Sequence, residues 1–213
     1  MAVSKESFVK AIEELKKNAP RRNFIQTVDL LVNLIDIDIR KTPVSVSITL
    51  PHPTKENKIC AFLEKTTPLA DKVIVKAELM ADWPKNEIKR LARNHNIFVS
   101  AAALMPMVAA KFGRILGAAG KMPNPKTGGV IMREDENEVK NTMEKLRKIV
   151  NLKAKENSIK TAIGKEDGNV EKIAENALAL YTAILNALPN KKENIRSIMV
   201  KLTMSKPIKL KEK

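Results

Sequence analysis

Apolar positions near the start of the chain first recur at helical spacing and then alternate. A helical pattern that includes Phe8 and Leu15 follows Ser4, a suitable N-terminal cap, and stops before Pro20. Beyond it, residues 24–50 are rich in alternating apolar positions: Val28, Leu30, Val32, Leu34, Val44, Val46, Ile48 and Leu50. Alternation with period two predicts half-buried strands in this region.

The pattern changes after the proline-containing break at 51–57. Short, fully apolar runs now interleave with helical patterns, which predicts strands at 58–63, 72–75 and 96–100 and helices at 67–71, 83–95, 104–116 and 136–149. The helix at 83–95 is expected to start at Asp82, with Pro84 in its first turn. Apolar strands between helices are typical of a small α/β layer with a parallel sheet.

Alternation returns after residue 150, and a long helix is predicted from Asn169 to Leu188, where Pro189 closes it. Residues 196–210 predict one or two further strands. Because both ends of the chain share one pattern and the middle has another, we predict an α+β protein with two domains. A split α+β domain would comprise 1–56 and 151–213, and an inserted Rossmann-like α/β domain would comprise 57–150. Two chain crossings would permit a hinge between them.

Charge adds a functional indication to this fold. The chain has 39 Lys and Arg against 24 Asp and Glu, a net charge of +15, and no acidic residue between Ile88 and Arg133. That span contains a loop punctuated by Gly and Pro, and the bases in and before it are Lys111, Arg114, Lys121 and Lys126. Such one-sided charge indicates a negatively charged partner and salt-sensitive affinity. An aromatic content of only 3% argues against broad base-stacking platforms.

The motifs of several other function classes are missing. The basic loop does not fit a nucleotide phosphate loop, because Ile115 stands where the first Gly is needed and Met122 follows Lys121. No dinucleotide, serine-hydrolase or zinc-protease motif is present. One cysteine, Cys60, and two separated histidines predict no metal site, and Cys60 itself is expected to be a small buried residue. No apolar run approaches the ~20 residues of a membrane span.

Two segments at the ends of predicted strands combine basic, aromatic, hydroxyl and thioether groups. They are 21–30, which includes Arg22, Phe24 and Thr27, and 201–207, which includes Thr203, Met204 and Ser205. Together they would suit recognition of folded RNA through its ribose hydroxyls and phosphates. Each segment alone is a weak signal, since a methionine beside a threonine usually serves packing.

The segment Lys121–Gly128, which reads KMPNPKTG, closely resembles the hallmark loop of the ribosomal protein L1 family. Further segments resemble family motifs in the same order along nearly the whole chain: Phe24–Val28, an interdomain turn at Leu50–His52, Gly113–Gly117, a later turn at Ile163–Lys165, and Thr203–Met204. The short form resembles archaeal members. One departure stands out, because the family usually continues Thr-Met with Gly-Pro, whereas this chain has Ser205-Lys206.

The resemblance implies a non-enzymatic constituent of the large ribosomal subunit, without a cofactor. Its terminal domain would bind large-subunit rRNA at the mobile lateral stalk, near the tRNA exit site, with contacts at Phe24, Thr27, Thr203 and Met204. It also implies repression of translation through the protein's own mRNA. We expect the basic loop to make secondary contacts with RNA or exit-site tRNA. The protein would be cytoplasmic, ribosome-associated and monomeric off the ribosome, with no membrane partner.

Two other functions compete with this interpretation. A nucleotide-dependent enzyme could use the α/β layer, although the phosphate loop is missing. A DNA-binding regulator would share the basic charge, and the low aromatic content does not separate it from an RNA-binding protein.

Overall fold

A computed structural model describes residues 4–20, 22–38, 44–55, 57–132, 135–154 and 156–210. These residues form a mixed α/β fold. Its α-helices and strands follow in the order α1 (Lys5–Asn18), β1 (Thr27–Leu34), β2 (Ser45–Thr49), β3 (Ile59–Leu63), β4 (Lys72–Val75), α2 (Lys76–Met80), α3 (Lys85–Asn94), β5 (Ile97–Ala101), α4 (Met105–Ala118), β6 (Val130–Ile131), α5 (Glu136–Arg147), β7 (Ile149–Lys153), β8 (Ser158–Lys165), α6 (Val170–Ala187), β9 (Ile195–Leu202) and β10 (Ile208–Lys209).

The chain divides into two compact units. Unit 1 combines Met1–Thr54 with Val150–Lys213, and unit 2 comprises Lys55–Ile149. Unit 1 is built on an antiparallel sheet in the order β10-β9-β1-β8, with α1 packed against α6 and β9, and α6 packed against β8. Strands β2 and β7 form a separate two-stranded sheet, and α6 also packs against β2.

Local sequence signals explain the elements of unit 1. The Ser4 side chain caps α1 and accepts a hydrogen bond from the Ser7 amide, as the sequence predicted. In β1 every second residue is buried, which confirms the predicted alternation. Leu30 and Val32 thereby contribute to the hydrophobic core under α1 and α6. Helix α6 begins behind Asn169, whose side-chain oxygen accepts from the Glu171 amide at 2.8 Å.

A glycine in β8 sets the distance between the sheet and α6. Gly164 lies opposite Val28 in the β1–β8 ladder. A Cβ atom on Gly164 would lie 2.6 Å from Cγ1 of Ile173, closer than packed carbon atoms approach. The Ile163–Lys165 segment, which resembles a family turn, belongs to strand β8 here. Because Gly164 has no side chain, α6 can pack closely against the sheet at this point.

One buried amide fixes the segment that leaves unit 1 after β2. Asn176 of α6 is only 2% exposed. Its Oδ1 accepts from the His52 amide at 3.1 Å, and its Nδ2 donates to the His52 carbonyl at 2.6 Å and to the Ile163 carbonyl at 3.0 Å. The neighbouring Glu175 carboxylate pairs with Lys5 and with His52, and these hydrogen bonds lower the pKa of Glu175.

Unit 2 contains a parallel sheet in the order β4-β3-β5-β6. Helix α4 packs on β5, and α5 packs on β3 and β6. All five residues of β3 are buried, which confirms that its continuous apolar run is a strand covered on both faces. Cys60 lies in this strand, and burial raises the pKa of its thiol to about 12, so the predicted buried cysteine is confirmed.

Several predicted boundaries in unit 2 are wrong. Residues 67–71 form a turn instead of a helix, because the Asp71 carboxylate accepts from the Ile59 amide at 2.7 Å and holds the chain at the start of β4. A short helix, α2, follows β4 instead. Helix α3 begins at Lys85 behind Pro84, so Asp82 is not its cap. Helix α5 ends at Arg147, and Ile149 belongs to β7.

Candidate nucleic-acid interface

The two strand-end segments singled out in the sequence meet in unit 1. Strands β1 and β9 are antiparallel neighbours with Val28 opposite Leu202, so the start of β1 lies beside the end of β9. The Thr203 hydroxyl accepts from the Thr27 amide at 3.1 Å and donates to the Thr27 carbonyl at 3.4 Å. This pair joins residues 176 positions apart in the chain.

A buried glutamine fastens the same junction from beneath. Gln26 is 1% exposed, and its Oε1 accepts from the Met204 amide at 3.1 Å. Its backbone carbonyl accepts from the Glu166 amide at 2.8 Å. Three segments of unit 1 therefore converge on Gln26. Sequence reasoning missed this residue, because a polar side chain before an alternating strand gives no local sign that it is buried.

Three apolar side chains at this junction face solvent. Phe24, Ile25 and Met204 are 52%, 58% and 56% exposed. Arg22 is exposed next to them, and Lys165 is exposed opposite Thr27 in the β1–β8 ladder. We call this surface the strand-end patch: Arg22, Phe24, Ile25, Thr27, Lys165, Thr203 and Met204. Clustered apolar side chains with a polar rim are typical of a binding surface.

Ser205, which departs from the glycine that the resemblance leads one to expect after Thr-Met, fits its turn. The Ser205 hydroxyl accepts from the Leu202 amide at 2.9 Å, and the Ser205 amide donates to the Leu202 carbonyl at 3.1 Å. Within the described ranges, positive φ angles outside glycine occur at Asp36 and Lys191, so Ser205 does not adopt the left-handed conformation that favours glycine. Its side chain therefore closes the turn that presents Met204.

Asp29 adds a weakly acidic group to the same strand. It lies half-buried in β1 opposite Lys201 of β9. Burial raises the pKa of Asp29, and the nearby charge of Lys201 partly opposes that rise.

The predicted secondary basic loop lies in unit 2, where two of its lysines contact helix ends. Lys111 Nζ donates to the carbonyls of Met80 and Ala81 at 2.7 and 3.0 Å, at the end of α2. Lys121 Nζ donates to the carbonyls of Ala92 and His95 at 2.7 and 2.8 Å, at the end of α3. Both lysines therefore satisfy carbonyls that a helix leaves unpaired and complement its dipole.

The other two basic residues of the predicted loop are Arg114 and Lys126. Arg114 is exposed on α4. The backbone of Lys126 belongs to a 3-10 turn at Pro125–Thr127, while its side chain lies outside the described residues. Gly120 and Gly128 adopt positive φ angles of 67° and 75°, which explains why the loop uses glycine at these two positions.

The described residues give little support to the competing functions. The strand order of unit 2 has a switch point between β3 and β5, where open α/β sheets bind nucleotides, but no phosphate loop follows β3. Across the described ranges, no group of three His, Cys, Asp or Glu side chains could hold a metal ion. None of the described helices is both long and apolar enough to cross a membrane.

An exposed aromatic ring and thioether beside cationic side chains, on a chain of net charge +15, are typical of nucleic-acid-binding proteins. Comparisons with known proteins agree with this class and identify the family within it. Residues 15–206 match the family described as Ribosomal protein L1p/L10e family. The chain therefore belongs to the ribosomal protein L1 family, as the hallmark loop predicted.

Archaeal relatives match over nearly the full length of the chain. The large ribosomal subunit protein uL1 of Thermococcus kodakarensis is 34% identical over 220 residues, covering 99% of both chains. The protein of the same name from Archaeoglobus fulgidus is 32% identical and covers 99% of this chain and 100% of its own. That of Nanoarchaeum equitans is 34% identical, covering 94% of this chain and 99% of its own. These relatives are named as ribosomal proteins, a non-enzymatic class.

Proposed function

We propose that the protein is a structural constituent of the large ribosomal subunit that binds large-subunit rRNA through the strand-end patch. The observation that carries this proposal is the junction of Thr27 with Thr203, which presents Phe24 and Met204 together in a member of the ribosomal protein L1 family. The rRNA site we propose is the mobile lateral stalk, near the tRNA exit site. The protein would then be cytoplasmic and ribosome-associated.

The chemistry of the patch fits this role. Exposed Lys and Arg side chains provide long-range attraction to phosphates, and counterion release makes that part of the affinity fall with salt. The exposed apolar groups, Phe24, Ile25 and Met204, exclude water once RNA covers them. Hydrogen bonds to ribose and phosphate strengthen in such a dry environment. Attraction and selectivity would thus come from different side chains of one surface.

The proposal extends to regulation and to a second surface. We propose that the same patch binds a similar structure in the protein's own mRNA and represses its translation. The basic loop residues Lys111, Arg114, Lys121 and Lys126 would make secondary contacts with RNA or exit-site tRNA. Since Lys111 and Lys121 already donate to helix carbonyls, the exposed Arg114 side chain is freer than these two lysines to reach a ligand. Off the ribosome we propose a monomer.

We further propose that units 1 and 2 are the two domains expected from the sequence. The unit boundaries at Thr54/Lys55 and Ile149/Val150 lie within two residues of the predicted boundaries at 56/57 and 150/151, which supports this assignment. Unit 1 would be the split α+β domain that binds RNA. Unit 2, with its parallel sheet, would be the inserted Rossmann-like domain.

Binding to a stalk-rRNA fragment tests the proposed function. The fragment is titrated at several salt concentrations, with duplex RNA and duplex DNA of equal length as competitors. We expect tight binding that survives both competitors at physiological salt. Weak binding without preference and with a steep salt slope would show that charge alone drives association. Equal affinity for duplex DNA would favour a DNA-binding regulator instead.

Thr203→Val is expected to weaken binding to this fragment by about 1 kcal/mol, roughly fivefold, because valine can neither accept from the Thr27 amide nor donate to its carbonyl. The effect stays moderate since Thr203 is exposed and water can replace part of its hydrogen bonding. Thr203→Ser keeps the hydroxyl and is the matched control. If the valine variant binds the fragment as tightly as wild type, Thr203 is not part of the binding surface.

A further inference from the structure

An open depression of about 460 Å³ overlaps one side of the strand-end patch and combines apolar, basic and acidic groups. Its lining residues are Arg22, Asn23, Phe24, Ile25, Glu166 and Asp167. Phe24 and Ile25 supply exposed apolar surface, and the two carboxylates come from the turn between β8 and α6. The volume falls within the range of roughly 300–1,000 Å³ that small-molecule pockets occupy.

The carboxylates are unexpected at this place. RNA is a polyanion, and an acidic side chain beside its binding surface opposes phosphate contacts. Helix α6 does not need Asp167, because Asn169 caps its N-terminus and Glu171 supplies the acidic group of the first turn. Glu166 Oε2 accepts a hydrogen bond from the backbone N–H of Gln26 at 3.4 Å. The Asp167 side chain, in contrast, is exposed and has no partner among the described residues.

We propose that this depression receives one unstacked guanine of the bound RNA, with Phe24 against the face of the base and Asp167 at its Watson–Crick edge. This inference rests on the RNA binding proposed above and specifies the nucleotide that the site selects. Protein sites commonly read RNA bases that are splayed out, stacked on an aromatic ring and hydrogen-bonded along one edge. A single phenylalanine suffices for one base, so the low aromatic content of the chain is no obstacle.

Guanine matches the carboxylate better than the other bases do. Its N1–H and its 2-amino group are adjacent donors, which the two oxygens of an ionised carboxylate can accept side by side. Uracil offers one N–H between two carbonyl oxygens, and a carboxylate repels both. Adenine and cytosine place a ring acceptor beside their amino group. Arg22, on the same rim, would take the phosphate of the bound nucleotide.

The variant Asp167→Asn distinguishes base recognition from a simple charge effect, because the two predict changes in RNA affinity of opposite sign. Loss of a negative charge strengthens RNA binding if electrostatics alone operate. Recognition of guanine predicts instead that binding to the stalk-rRNA fragment weakens by about tenfold. Glu156→Gln is the control: it removes an exposed carboxylate, paired with Lys160 at 3.4 Å, before the opposite end of β8, and should bind as tightly as wild type or slightly more tightly.

A second arm identifies the base. Each unpaired guanosine of the fragment is replaced in turn by inosine, which lacks the 2-amino group. We expect one replacement to cost the wild-type protein about tenfold and to cost Asp167→Asn nothing further. If Asp167→Asn binds as tightly as wild type, or if no inosine position matters, the guanine site is wrong while RNA binding stands. If wild type does not prefer the fragment to duplex RNA, both proposals fail.

Discussion

Replacing Phe24 by alanine is expected to weaken binding to the stalk-rRNA fragment by about 1–3 kcal/mol, roughly 5- to 150-fold. The ring is 52% exposed, so its truncation removes little packing from the fold. What it removes is the largest apolar group of the strand-end patch and the aromatic face that would lie against RNA. Equilibrium titration at a fixed salt concentration measures the loss. The salt slope should stay unchanged, because no charge is removed.

Ile35→Ala is the matched control for this variant. Ile35 directly follows the opposite end of β1 and is 39% exposed, so its truncation removes exposed apolar surface away from the patch. Its RNA affinity should equal that of wild type, and thermal unfolding should show that both variants remain folded. An equal loss for both variants, or none for Phe24→Ala, would contradict a specific role of the aromatic ring.

Replacing Asn176 by alanine is expected to lower the free energy of unfolding of unit 1 by about 2–4 kcal/mol. The substitution leaves the His52 amide and the carbonyls of His52 and Ile163 without the partner that they share. It also opens a small cavity beneath α6, where Asn176 is 2% exposed. Urea denaturation followed by circular dichroism measures the change. Hydrogen exchange should show faster exchange at the His52 amide.

The control for this second variant lies on the same helix. Asn186 is exposed near the end of α6, so Asn186→Ala should change stability by less than about 0.5 kcal/mol. An unchanged His52 exchange rate in Asn176→Ala would mean that water or another group replaces the amide. In that case Asn176 would not be what holds the segment after β2 against the helix.

Elements whose signal is local could be predicted from the sequence. Strand β1 buries alternate residues and β3 buries all of its residues, and both patterns are visible without any knowledge of neighbours. The predicted cap Ser4 likewise acts within its own helix. The turn at 67–71 was mistaken for a helix because its conformation depends on a hydrogen bond from Ile59 to Asp71, which only the folded sheet creates.

The candidate site shows the same division. Phe24 and Met204 were found through motifs, but the contact between their segments arises from the pairing of β1 with β9. Gln26 gave no signal, since burial of a polar side chain is a property of the assembled junction. The charge count also could not separate lysines that complete helix ends, such as Lys111 and Lys121, from bases with free ammonium groups.

The position of β1 in its sheet has a consequence for biosynthesis. Its two neighbours, β8 and β9, begin only at Ser158 and Ile195, so a growing chain exposes an unpaired central strand while all of unit 2 is being translated. The Thr27–Thr203 interlock forms only once the last segments have emerged. A prematurely terminated chain therefore carries much of the positive charge but lacks the junction, and the selective RNA recognition proposed above would require the finished molecule.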